Sequence, residues 1–245
     1  MSVRNLLPIA LLLATGFIGC TGSPVQTDGS VTVTQTTTTT TALPRLNPGV
    51  IGTSPTGAGV ASATVYSFLL ATPPSGGVPP YTVAWDFGDG GAGAGTVAVH
   101  AYAAPGNFTA KATVTDSRAI SADTSLPVSI RTVTGRWNVT YSFPHRAEAI
   151  DIVQNELAVT ATINDSPDGF ASGTGSVSNP RSLAVSVTFA AAVPAAYAIT
   201  YFGTLSESLL TWTGTVTGFT ECPCRFTATR PSADILSIVS PSSAR

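Results

Sequence analysis

The sequence predicts an all-β protein in two folded parts, a β-sandwich followed by a closed antiparallel meander barrel. Three observations point there. Apolar and polar residues alternate with period two in run after run, and no helical period separates them. Gly, Pro and Asn cluster between the runs, with 23 Gly and 18 Pro in all. Charged residues make up only 10% of the chain, against roughly 25% in an average soluble protein. Thr, Ser, Ala and Gly take their place, which favours strands and turns over surface helices. A length of 245 residues leaves room for one large β-domain or two of about 100 residues each.

Residues 1–20 carry the parts of an export signal: Arg4, an apolar run from Leu6 to Ile18, and small Gly19 before Cys20. The run is too short to cross a hydrocarbon layer of ~30 Å as a helix. Phe17-Ile18-Gly19-Cys20 resembles the lipobox of bacterial lipoproteins, departing from it at Phe17, where an aliphatic residue is usual. The resemblance implies lipidation of Cys20, which then becomes the N-terminus and anchors the chain to a membrane. At ~0.8 kcal/mol per buried CH₂, two or three acyl chains hold a protein stably. The alternative is a plain secretory signal with an incidental cysteine. Thr21 follows Cys20 where Asp would signal retention, so the resemblance implies a bacterial cell envelope, at the outer membrane or extracellular face. Residues 21–45, with the unbroken run Thr36 to Thr41, have too little apolar surface to offset the entropy of ordering. They are expected to form a Thr-rich disordered linker, an unmodified spacer or an O-glycosylated one.

Residues 46–133 form the first folded unit, with strand signals from Ala63 onward. Tyr81, Val83, Trp85 and Phe87 share one face, as do Phe108, Ala110, Ala112 and Val114, and Val128 and Ile130 close the series. Turns fall at Pro73–Pro80, Gly88–Gly95 and Pro105-Gly106. One-sided strands imply two sheets packed face to face. Trp85-Asp86-Phe87-Gly88-Asp89-Gly90, His100-Ala101-Tyr102, Pro105-Gly106-Asn107-Phe108 and Val114-Thr115-Asp116 resemble the successive motifs of a PKD domain. That resemblance implies an immunoglobulin-like sandwich of about seven strands that serves as a spacer or as an interaction module for proteins or polysaccharides. Asp86 and Asp89 flank a glycine turn, where Asp side chains bond nearby backbone N–H groups. A calcium site is the rival reading. His100 reads as a strand residue with a hydrogen-bond partner, and Trp85 as core.

Residues 134–231 alternate more regularly still. Trp137, Val139, Tyr141 and Phe143 share a face, and the pattern returns in Leu157-Val159-Ala161-Ile163, Leu183-Val185-Val187-Phe189, Tyr197-Ile199-Tyr201, Leu210-Trp212-Gly214-Val216 and from Phe226 to Arg230. With Ala149–Gln154 and Phe170–Val177 this makes about eight strands in consecutive hairpins, with turns at Asn164–Gly169 and Ser178–Pro180. Such a series tends to close into a barrel and so remove its edges; a second sandwich is the alternative. Gly135, Trp137 and Arg230 resemble the Gly-x-Trp and terminal-strand Arg of lipocalin-like (calycin) barrels, in which the guanidinium covers the Trp ring. These residues are structural in that family. Residues 232–245 are expected to be a flexible tail.

The cysteine count is 3. With Cys20 lipidated, Cys222 and Cys224 remain, and a local disulfide in an oxidising compartment is the first reading. A redox or metal-binding pair would need further ligands or a helix N-terminus, and the sequence has neither at hand. No catalytic residues, metal ligands or cofactor motif are expected. His145 sits in a loop without a sequence-local partner, and Asp165 and Asp168 share a polar turn. A net charge of −2 without Lys/Arg runs speaks against a nucleic-acid partner. The expected function is a non-enzymatic, lipid-anchored surface binding or adhesion protein. Alternatives are a purely structural envelope lipoprotein, or a barrel carrying a small apolar ligand.

Overall fold

A computed structural model of the chain describes residues 42–142, 147–166, 168–190, 196–219 and 224–232. The signal segment with Cys20, most of the Thr-rich linker, Phe143, His145, Cys222 and all of the tail beyond Ser232 lie outside the described residues. The described residues form sixteen strands and no α-helix.

The first eight strands are β1 (Val50–Ser54), β2 (Gly59–Val60), β3 (Val65–Thr72), β4 (Thr82–Asp86), β5 (Ala92–Ala94), β6 (Val97–Ala101), β7 (Gly106–Thr115) and β8 (Ser121–Arg131). They make a three-stranded sheet, β1-β3-β6, and a five-stranded sheet, β2-β8-β7-β4-β5. Their facing sides bury Tyr66, Phe68, Val83, Trp85, Phe87, Tyr102, Ala110, Ala112, Val114 and Ile130 in one core, as the alternation requires. Phe68 lies 5.0 Å from Phe87 and 6.0 Å from Trp85, ring centre to ring centre. Three strands escape the sequence pattern: β1, the two-residue β2, and β5, which falls inside the Gly88–Gly95 stretch read as a turn. The sandwich also reaches back into the expected linker. The Pro44 carbonyl accepts from Gly77 N (2.9 Å), and Leu46 is buried in the core.

The remaining strands are β9 (Gly135–Tyr141), β10 (Glu148–Asn155), β11 (Ala158–Ser166), β12 (Gly169–Ser178), β13 (Ser182–Phe189), β14 (Tyr197–Leu205), β15 (Thr211–Thr217) and β16 (Cys224–Thr229). Each pairs antiparallel with the next, and β16 pairs with β9, so the sheet closes into an eight-stranded barrel. Trp137, Trp212, Tyr201, Phe189, Ile150, Ile152 and Ile163 are fully buried inside. Trp137 and Trp212 meet edge to face at 6.2 Å, and Phe226 meets Trp212 at 4.7 Å. Leu157 departs from the expected inward face: it is exposed beside the β10–β11 turn, where Glu156 takes a positive φ of 54°. Phe170, on β12, is also exposed.

The outside of the barrel is ruled by hydroxyls. Thr160, Thr174, Ser186, Thr200 and Thr217 form one cross-strand row, and Ser178, Ser182, Thr204, Thr213, Thr227 and Thr140 form another.

The sandwich closes one end of the barrel. Val60 and Ala63 belong to the barrel's core cluster, with Ala58 against it. Backbone and side chains lock the joint: Ala58 N donates to the Glu207 carbonyl (2.9 Å), Thr64 Oγ1 to the Pro180 carbonyl (2.7 Å), Val65 N to Asn179 Oδ1 (3.1 Å), Gln154 Nε2 to the Ala61 carbonyl (3.0 Å) and Arg181 to the Thr56 carbonyl (2.7 Å). The described residues from Ala42 onward accordingly form one unit by their contacts. The turns of β10–β11, β12–β13 and β14–β15 lie at this near end. Strands β9, β11, β13 and β15 therefore end, and β10, β12, β14 and β16 begin, at the far end.

Gly203 and Gly214 face each other across β14 and β15. A Cβ on Gly214 would run into the Phe202 carbonyl, and one on Gly203 into the Thr213 carbonyl while coming within 2.9 Å of Trp212 Nε1. Neither carbonyl can retreat without breaking the ladder. Gly214→Ala is therefore expected to destabilise the fold by about 3 kcal/mol, read as a lower denaturation midpoint; an unchanged midpoint would show that the strands can part there.

Candidate functional site

In the sandwich, the motif residues hold one another. Asp86 Oδ1 accepts from Gly88 N (2.9 Å) and Asp89 Oδ1 from Gly91 N (3.0 Å). Gly88 and Gly90 both have positive φ, 82° and 92°, which glycine adopts without strain. His100 Nε2 meets Asp89 Oδ2 at 2.8 Å. Its ring stacks on Phe87 at 4.1 Å and stands edge-on to Tyr102 at 4.6 Å. Burial alone would raise the Asp89 pKa, but the Gly91 N–H and His100 outweigh it and hold the carboxyl below its ordinary range. Trp85 Nε1 donates to the Gly95 carbonyl (2.8 Å), and Tyr102 OH to the Phe87 carbonyl (3.1 Å). Burial, then the charge of Asp89, pushes the Tyr102 phenol up. Pro105 is half-buried where the chain enters β7, and the Gly106 carbonyl takes the Arg131 guanidinium (3.1 Å). Asp86, Asp89, His100, Trp85 and Tyr102 each make at least one hydrogen bond within the sandwich.

In the barrel, Arg230 lies over Trp137, its guanidinium carbon 4.8 Å from the ring centre. Arg230 also donates to the Leu209 carbonyl (2.8 Å) and the Thr134 carbonyl (3.0 Å), and Trp137 Nε1 donates to the Val133 carbonyl (2.9 Å). Gly135 opens β9 with a φ of 138°. This group seals the near end. Cys224 is disulfide-bonded and starts β16 at the far end.

The far end holds a different arrangement. Glu148, first residue of β10, points inward in phase with Ile150 and Ile152 and is 6% exposed. Its Oε1 accepts from Tyr141 OH and from Tyr201 OH (2.5 Å), and the two phenol oxygens lie 2.7 Å apart. Its Oε2 is buried with no hydrogen-bond partner among the described residues. Burial, reinforced by the Glu148 charge, pushes the pKa of Tyr141 and Tyr201 far up, so both phenols stay neutral donors. Phe219 meets Tyr141 edge to face at 5.7 Å, and Phe226 meets Tyr201 at 5.3 Å. Nearby, Tyr197 OH donates to Asp168 Oδ2 (2.8 Å) and stacks on Phe189. Asp165 pairs instead with Arg136, so the two carboxylates of that turn go to different partners. Sequence reading missed Glu148; its one signal is a charge in phase with two inward isoleucines.

Residues 58–129 match the family model described as PKD domain. The first half of the chain carries a PKD domain. The match covers most of the sandwich and none of the barrel. No curated protein matches the chain. A solved structure described as carbohydrate-binding modules of the beta-sandwich superfamily shares 12% identity and a TM-score of 0.29, covering 75% of this chain and 92% of that chain; at that score it bears on neither fold nor ligand.

The PKD domain also holds the most strongly shifted carboxylate of the sandwich. Asp116 is buried and accepts from Val78 N (3.0 Å), Arg118 N (2.9 Å), Ile120 N (3.0 Å) and the Arg118 guanidinium. Burial would raise its pKa, but these donors outweigh it and set it at about 2. With an unfolded value of about 3.9, the ionised group stabilises the fold above about pH 4, and that stability is lost as pH falls towards about 2. Asp116→Asn is expected to lower the unfolding midpoint at neutral pH, with the gap to the parent closing between about pH 4 and about pH 2. Midpoints measured across that range check this; a gap constant with pH would contradict it.

Proposed function

We propose that the chain is a non-enzymatic binding or adhesion protein, lipid-anchored through Cys20 on the bacterial cell surface, whose PKD domain holds a recognition barrel outward. One observation carries this reading. The PKD domain plugs the near end of the barrel through Ala58–Ala63 and a set of interdomain hydrogen bonds, so the far end, with its buried polar and aromatic cluster, is the end left to meet a partner. The rigid joint suits a domain that presents another one. A protein or polysaccharide is the partner class that PKD domains generally serve. The motif residues of the sandwich are satisfied internally, which supports a scaffold role for them and no chemistry.

A second reading, a purely structural envelope protein, draws support from the filled middle of the barrel, where Trp137, Trp212, Tyr201 and Phe226 interlock. The same filling counts against a barrel that carries a small apolar ligand in its middle. A glycan and surface-protein array probed with residues 42–232 separates the first two readings: specific hits support recognition, and a blank array supports the structural role. Metabolic labelling with a palmitate analogue is expected to mark the chain and to fail in Cys20→Ala; an unmarked parent would remove the anchor.

A further inference from the structure

The barrel's far end contains a group that stability alone does not explain. A buried carboxylate is tolerated when it is paired and hydrogen-bonded, and is costly otherwise. Glu148 has one oxygen saturated by two phenols and the other without a hydrogen-bond partner among the described residues. No Lys, Arg or His among the described residues makes an ion pair with it. No set of three His, Cys, Asp or Glu there is suited to a metal ion. The rings of Tyr141 and Tyr201 meet each other, and Phe219 and Phe226 pack on their outer sides.

We infer that the far end of the barrel is a binding site for a small primary alkylammonium ion, held by Glu148 Oε2 and flanked by the Tyr141 and Tyr201 rings. A carboxylate only accepts, so its partner must donate. A primary ammonium offers several donors to that one buried oxygen, where a neutral hydroxyl offers one. Aromatic faces favour a compact cation, and an ammonium brings three donors on a narrow head. The two phenols saturate Oε1, and Oε2 is the oxygen still without a donor among the described residues. The inference rests on the far end being the recognition end, as proposed above.

The test is an NMR titration of the unit Ala42–Arg245 with n-butylammonium chloride, in sodium chloride of matched ionic strength, with n-butanol as the neutral isostere. Saturable shifts at the Trp212 indole and Tyr201 are expected with the ammonium and not with the alcohol. Glu148→Gln is expected to weaken binding by about tenfold or more, and to melt no lower than the parent when free, because the amide oxygen can still accept from the two phenols. Tyr201→Phe keeps the carboxylate but removes one of the two phenols that fix it, and is expected to weaken binding less than Glu148→Gln does. If Glu148→Gln does not fold, the parent decides, since an equal response to ammonium and alcohol overturns the site. Equal shifts with alcohol and ammonium, no shifts with either, or undiminished binding by Glu148→Gln would overturn it too. A blank glycan and protein array alongside a positive titration would sink the adhesion reading alone. Array hits alongside a negative titration would sink only the ammonium site.

Discussion

Each strand of this chain has one apolar face, and that face must be covered. The two halves meet the requirement differently. In the sandwich one sheet covers the other. In the barrel the sheet curls until it covers itself, which also removes its edges. Closure leaves a problem that a sandwich does not have, because a barrel has two open ends that its own strands cannot seal. At the near end the sealing material comes from elsewhere in the chain: Val60 and Ala63 join the barrel core, and Arg230 lies across Trp137. Rigid union of the domains is therefore a consequence of barrel closure.

The far end receives no such cover from the sandwich. Beside Phe189, its inward positions include Tyr141, Glu148, Tyr197 and Tyr201, whereas the middle of the barrel has Trp, Ile and Val. Polarity thus rises along the barrel axis, from a dry, ring-filled middle to a carboxylate and phenols. Phenols suit this gradient, since each offers an apolar ring to the core and one hydroxyl to a polar neighbour.

Half-burial is what made most of the fold legible. A strand with one wet face writes period two into the sequence, and Tyr81–Phe87, Phe108–Val114 and the barrel runs all did so. The strands that stayed hidden lack that cause. Both residues of β2 are buried, Val60 beneath a barrel that lies much later in the chain, and β5 is an Ala-Gly-Ala edge with no contrast to read. Leu157 kept the apolar phase but fell at a turn, where phase has no meaning. The motif cluster around Asp89 and His100 was legible because its partners sit within a few turns of one another. Glu148 was not, because its partners Tyr141 and Tyr201 come from other strands and only closure brings them to it. The same holds for the sandwich–barrel joint.

The hydroxyl rows on the barrel wall have a consequence for how the molecule approaches anything else. Threonine and serine wet a surface without charging it, and the whole chain carries a formal charge of only −2. Such a wall sets up little long-range field for ions to screen. Encounter then depends on collision and local fit, with no steering from a distance. A molecule built this way associates at much the same rate in dilute and in concentrated salt.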